Sequence, residues 1–155
     1  MPDSAHRVAM ACSACAGPKP CNVFTRDVAS HLGIILPGGK DVEADKVIEA
    51  MRHRWRRLTS QQAILAAGQG VFVVAGLPSY EFSPRHDGKK VKSGHVCVVI
   101  AGQLGHYPRV FSTSDGPGPY GRSQGDHPLN GYVFSPRDVA KVQYFTPSRG
   151  ASGSW

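Results

Sequence analysis

The sequence predicts an α+β fold, with N-terminal helices packed on an antiparallel sheet of about five to six strands. Three observations lead there. Apolar residues recur at helical spacing up to Ala67. From Val71 onward they gather instead into short β-branched runs bounded by glycine, with no helix-length segment between them. The 155 residues, 41% hydrophobic with 18 glycines and 12 prolines, suit one compact, loop-rich domain over 1–155. That composition excludes a coiled coil and reads as a globule rather than a disordered tail, and the length argues against a second catalytic domain.

Residues 1–20, with Gly17-Pro18-Lys19-Pro20 at their end, read as an extended lead-in. Cys21, Phe24, Val28 and Leu32 then fall on one helical face, and Gly33 can end that helix in a left-handed conformation. After the Pro37-Gly38-Gly39 turn, Val47, Ile48, Met51, Trp55 and Leu58 form the apolar stripe of a second helix. Thr59-x-x-Gln62 is a capping box for a third, short helix reaching Ala67 and stopped by Gly68 and Gly70.

Val71–Ala75 and His95–Ile100 are expected as buried central strands. Further strands are expected at 109–113, 131–134 and 142–146, with Ser135-Pro136 starting a single helical turn before the last of them. Residues 79–93 form a long polar, basic loop, either a lid or plain surface. The end of the chain, 147–155, reads as a flexible tail.

Lys and Arg total 18 against 11 Asp and Glu, a net charge of +7 that makes an anionic partner plausible without choosing one. Apolar runs such as Val71–Leu77 fall far short of a membrane span, so no membrane insertion is expected. The apolar stretch after Arg7 is too short and too interrupted for a signal peptide. Arg52-His53-Arg54-Trp55-Arg56-Arg57 admits a nucleic-acid-binding module as an alternative, and a non-catalytic wall-binding domain is a third class. Trp55 belongs to the apolar stripe, however, and a basic helical run is most simply a solvated face, so no nucleic-acid partner is expected.

Four cysteines, Cys12, Cys15, Cys21 and Cys97, are too few and too unevenly placed for a disulfide framework. Cys12-x-x-Cys15 could be a redox pair or half a zinc site. No second pair exists to complete the metal's four ligands, so neither metal nor cofactor is expected. Cys97 lies mid-strand and reads as a small buried hydrophobe. Cys21 opens a helix, where unpaired N–H groups and the dipole favour a thiolate. His95, following Gly94 and opening an apolar strand, is the histidine best placed to serve as its base.

Cys21-Asn22-Val23-Phe24 opening a helix and Gly94-His95-Val96-Cys97-Val98-Val99-Ile100 opening a strand resemble the NlpC/P60 and CHAP class of papain-like cysteine peptidases. With Val71–Leu77, Ile100-Ala101-Gly102, Tyr107-Pro108, Gly121-Arg122-Ser123-Gln124-Gly125 and Tyr144-Phe145, the stretch from Cys21 to Phe145 is similar to the first family of type VI secretion amidase effectors. The resemblance implies a papain-like NlpC/P60 fold, with Cys21 as nucleophile and His95 as general base. It implies hydrolysis of the amide between D-glutamate and meso-diaminopimelate in the peptidoglycan stem peptide. It also implies a monomer made in the cytoplasm and delivered by the type VI apparatus, without a signal peptide, to the periplasm of Gram-negative rivals. A cognate immunity protein would protect the producer. Asn22, Ser123 and Gln124 are the candidate substrate contacts.

The class usually places Asp or Asn before the cysteine, where this chain has Pro20, so the group orienting the histidine is not readable by motif. The strand after His95 offers Ser112 and Asp115. In an oxidising periplasm Cys12 and Cys15 would form a local disulfide or lie in an unordered tail.

Overall fold

A computed structural model of the chain describes residues 4–39, 42–85, 87–114 and 121–148. The architecture is α+β. Among the described residues, four helices, α1 (Arg7–Cys15), α2 (Cys21–His31), α3 (Ala44–Arg54) and α4 (Ser60–Gly68), accompany one antiparallel sheet of six strands. The strands are β1 (Arg56–Leu58), β2 (Val73–Leu77), β3 (His95–Leu104), β4 (Tyr107–Ser112), β5 (Ser123–Gln124) and β6 (Gln143–Thr146), in the order β1-β6-β2-β3-β4-β5. Four strands thus form a meander. The last strand in sequence crosses back to lie between β1 and β2.

Both faces of the sheet are covered. On one, Phe24 and Val28 of α2 and Val47, Ile48 and Met51 of α3 pack with Val8 and Cys12 of α1 against Val74, Val96, Val98 and Phe111. On the other, Ala63 and Ala67 of α4 join Leu129, Phe134 and Val139 against Val73, Ala75, Cys97, Val99 and Val110. The alternation along β3 divides its residues between the two cores, as period-2 geometry requires. Fully buried side chains such as Phe24 and Val98 each contribute about 1.5–3 kcal/mol relative to exposure.

The helix ends follow the residues that were expected to make them. Gly33, at φ +76°, closes α2, with the Ile34 N–H donating to Ala29 and the Gly33 N–H to Ser30. Thr59 accepts from the Gln62 N–H while the Gln62 side chain accepts from the Thr59 N–H, completing the box that opens α4.

Several boundaries differ from the sequence reading. The lead-in is helical, since residues 4–15 form a 3-10 turn and α1, which bury Val8, Ala11 and Cys12. The second helix stops at Arg54 rather than running to Leu58. Arg56–Leu58 instead pairs with Thr146–Tyr144, so strand pairing overrides the helical periodicity of Leu58. Buried Trp55 sits at the switch, edge-on to Phe72. The second strand begins at Val73, not Val71, because the Val71 N–H closes the end of α4 on Ala66.

The strand expected at 131–134 reduces to one bridge between Asn130 and Phe134, while Ser123–Gln124, expected as loop, pairs with β4. The turn expected from Ser135 does form, its carbonyl accepting from the Asp138 and Val139 N–H groups, and a 3-10 turn over Val139–Lys141 follows it. The start of the 79–93 loop is tied down. Asp45 accepts from the Ser79 backbone and hydroxyl, Glu81 pairs with Arg52, and Asp138 accepts from the Ser83 N–H.

Candidate functional site

Cys21 is the first residue of α2, behind Pro20, whose φ of -57° presets the entry. The segment is held from three directions. Lys19 pairs with Asp27 at 2.9 Å, the Lys19 carbonyl accepts from the Thr113 hydroxyl at 3.0 Å, and the Asn22 amide donates to the Val42 carbonyl at 2.9 Å. Asn22, a candidate substrate contact, therefore also anchors the helix start. Cys21 itself is half-buried, packed against the core that α2 shares with α1 and α3.

His95 begins β3 opposite Leu77. Gly94 is needed there, since a Cβ would lie 2.3 Å from Asp45 Oδ1 and 2.8 Å from the Leu77 carbonyl oxygen. The imidazole lies edge-on to Phe134, with ring centroids 5.5 Å apart. Its Nε2 is 2.7 Å from Ser112 Oγ, and the Ser112 hydroxyl donates to the Gly121 carbonyl at 2.5 Å. One hydroxyl carries one proton. With that proton engaged in the hydrogen bond to Gly121, Ser112 accepts from an Nε2–H, which leaves Nδ1 as the basic nitrogen.

Burial draws the His95 pKa from 6.5 down to about 4, with the Gly121 carbonyl acting the other way, so the ring is neutral near pH 7. Burial likewise raises the Cys97 thiol, with Cys21 and Cys12 adding to the effect. It also raises Cys12, and Cys15, where Asp27 adds to the rise and Lys19 opposes it. No disulfide joins any of the four cysteines, and Cys12 and Cys15 lie on α1, so neither the local disulfide nor the unordered tail expected for them is what the structure has.

The structure thus joins His95 and Ser112 directly. Cys21 approaches the same end of the sheet by a different route, through Lys19 and Thr113, the residue after Ser112. Its side chain packs against the core opposite to the one that holds Cys97 and Val99. Asp115 lies outside the described residues.

Beside Ser112 runs a cleft of about 520 Å³ bounded by Gly17 and Pro18, by Thr113 and Ser114, and by Arg122 to Gln124. Ser123 is buried, and its hydroxyl accepts from the Gly125 and His127 N–H groups while donating to the His127 carbonyl; its part is to shape this wall. Gln124 is exposed on the wall, and its N–H donates to Asp126, which holds that carboxyl below its usual range.

Sequence reasoning missed Gly121, Phe134 and Thr113 as supports. Only Gly121 had a signal, its place in the glycine-bounded Gly121–Gly125 segment. Its φ of +84° suits glycine and turns its carbonyl toward Ser112.

No protein-family model and no curated protein matches the chain. Among the described residues, no three His, Cys, Asp or Glu side chains converge to hold a metal ion, and no helix is long and apolar enough to cross a membrane.

Proposed function

We propose that this chain is a papain-like cysteine amidase that hydrolyses the D-glutamyl–meso-diaminopimelate bond of peptidoglycan stem peptides. The observation that carries the reading is the Ser112-held imidazole of His95, at the sheet end reached by the start of the Cys21 helix. The NlpC/P60-like motifs supply the substrate class.

In the reaction, His95 Nδ1 takes the Cys21 thiol proton as sulfur attacks the amide carbonyl. The Cys21 backbone N–H stabilises the resulting oxyanion. The imidazolium formed is oriented by Ser112 and then protonates the departing diaminopimelate amine. Water, deprotonated by the same imidazole, hydrolyses the thioester and regenerates the thiol. The cleft beside Ser112 would hold the peptide.

The same reading makes the protein a type VI effector that acts in a rival's periplasm and is countered by an immunity protein. A nucleic-acid module is less well supported, because Arg52 of the basic run is committed to Glu81 and Gln143.

Incubation with purified Gram-negative muropeptides, followed by chromatography and mass spectrometry, tests the proposal. A new diaminopimelate N-terminus is expected with the native chain and none with folded Cys21→Ala or His95→Ala. Intact stems, or normal cleavage by either variant, would overturn it.

A further inference from the structure

The far end of α2 carries a second set of unusual features. Beyond Gly33 the chain turns through residues 34–39. Ile34 packs back against the core and Leu36 is buried, yet Ile35 between them is 86% exposed. Fixed on both sides, Ile35 is held outward by its neighbours rather than by chance. It borders a concavity of about 380 Å³ whose wall includes Arg26, Ser30, Ile34 and Arg54.

Arg26 Nη2 is shielded from solvent and has no hydrogen-bond partner among the described residues. Such a donor stays costly until an acceptor arrives. Asp27, its acidic neighbour on α2, is paired with Lys19. Arg54, in the last turn of α3, supplies a second cation to the same wall.

We propose that this concavity docks an acidic segment of a partner protein, one carboxylate entering between Arg26 and Arg54 while an adjacent apolar side chain covers Ile35. A guanidinium selects a planar carboxylate and can bind it through two parallel hydrogen bonds, which here requires the Arg26 side chain to shift so that its shielded Nη2 meets the ligand. Ile34 and Ile35 argue for polypeptide over a phosphate-bearing ligand, because an anion alone leaves Ile35 in water. The net charge of +7 favours the same class of partner by long-range attraction.

The surface is separate from the proposed catalytic centre. α2 spans 11 residues, so its two ends lie roughly 15 Å apart along the helix axis.

The test is a titration of the full chain with N-acetyl-Glu-Leu-amide, followed by NMR at the Arg26 guanidinium Nε–H and the Ile35 methyls. Both signals should move together and saturate, with N-acetyl-Gln-Leu-amide binding at least about tenfold more weakly, the effect of losing roughly 1.4 kcal/mol of charge-assisted hydrogen bonding. Arg26→Met and Ile35→Ser should each weaken binding comparably, and Arg54→Met provides a second guanidinium deletion should Arg26→Met fail to fold. Unmoved signals, undiminished binding in these variants, or inorganic phosphate shifting Arg26 equally while Ile35 stays still would each overturn the proposal. None of these readouts depends on amide hydrolysis, so this surface and the amidase reading can fail separately.

Discussion

The Ser112 hydroxyl lies 2.7 Å from His95 Nε2 and donates its own hydrogen bond to the Gly121 carbonyl. Ser112→Ala removes the acceptor that fixes the tautomer and leaves two half-buried polar groups, the His95 Nε2–H and the Gly121 carbonyl, without this partner. We expect the muropeptide cleavage rate to fall about ten- to a hundredfold, part of what acid–base catalysis provides. Chemical denaturation should show a loss of about 1–3 kcal/mol.

Gly94→Ala should be more harmful than its one added methyl suggests. The new Cβ would meet the Asp45 carboxylate that holds Ser79. Displacing either group shifts the start of β3, so a destabilisation of about 1–3 kcal/mol with loss of activity is expected. Denaturation midpoints and the amidase assay together check this. A variant as stable and active as the native chain would contradict the geometry.

The depressed His95 pKa sets the response to pH. The folded state holds the ring neutral down to about 4, whereas the unfolded chain takes up its proton near 6.5. Between those values the unfolded state binds more protons. Stability contributed by this residue is therefore complete above pH 6.5 and lost as the pH falls toward 4. The acid limb of kcat/KM should likewise lie well below 6.5. Histidine NMR titration, compared with His95→Ala for the stability profile, measures both.

The four thiols should separate into two pairs on labelling. Cys12 and Cys97 are buried and their thiols raised, so they should react slowly with iodoacetamide until the chain unfolds, while Cys15 and Cys21 remain accessible. Mass spectrometry of timed digests gives each rate. Rapid modification of Cys97 in the folded protein would contradict its buried place in β3.

What could be read in the sequence was local. Gly33, the Thr59–Gln62 box and the β-branched run from Val96 act within a few residues of themselves, and each ends or forms the element its chemistry favours. The misreadings concern pairing across the chain. Leu58 fits a helical stripe as well as a strand until Tyr144 arrives opposite it, and Ser123 looks like loop until Ser112 pairs with it. Cys12 and Cys15 drew attention as cysteines, while the helix carrying them is explained by Val8, Ala11 and Cys12 facing the core. In the site, Cys21 and His95 stand out by residue type and position. The Thr113 hydroxyl and Gly121 carbonyl do not, since a hydrogen bond to a distant backbone leaves no local pattern.

The place of β6 between β1 and β2 leads us to expect an order in the assembly of the sheet. The hairpin of β3 and β4, which carries His95 and Ser112, closes through a short local turn and can form early. The strip joining β1 to β2 must wait for Gln143–Thr146, from a remote part of the sequence. Pulsed hydrogen exchange during refolding should protect β3 and β4 amides before those of β6. A chain halted before Gln143 would hold the histidine and its serine partner while both cores still lacked the aromatic pair Tyr144 and Phe145.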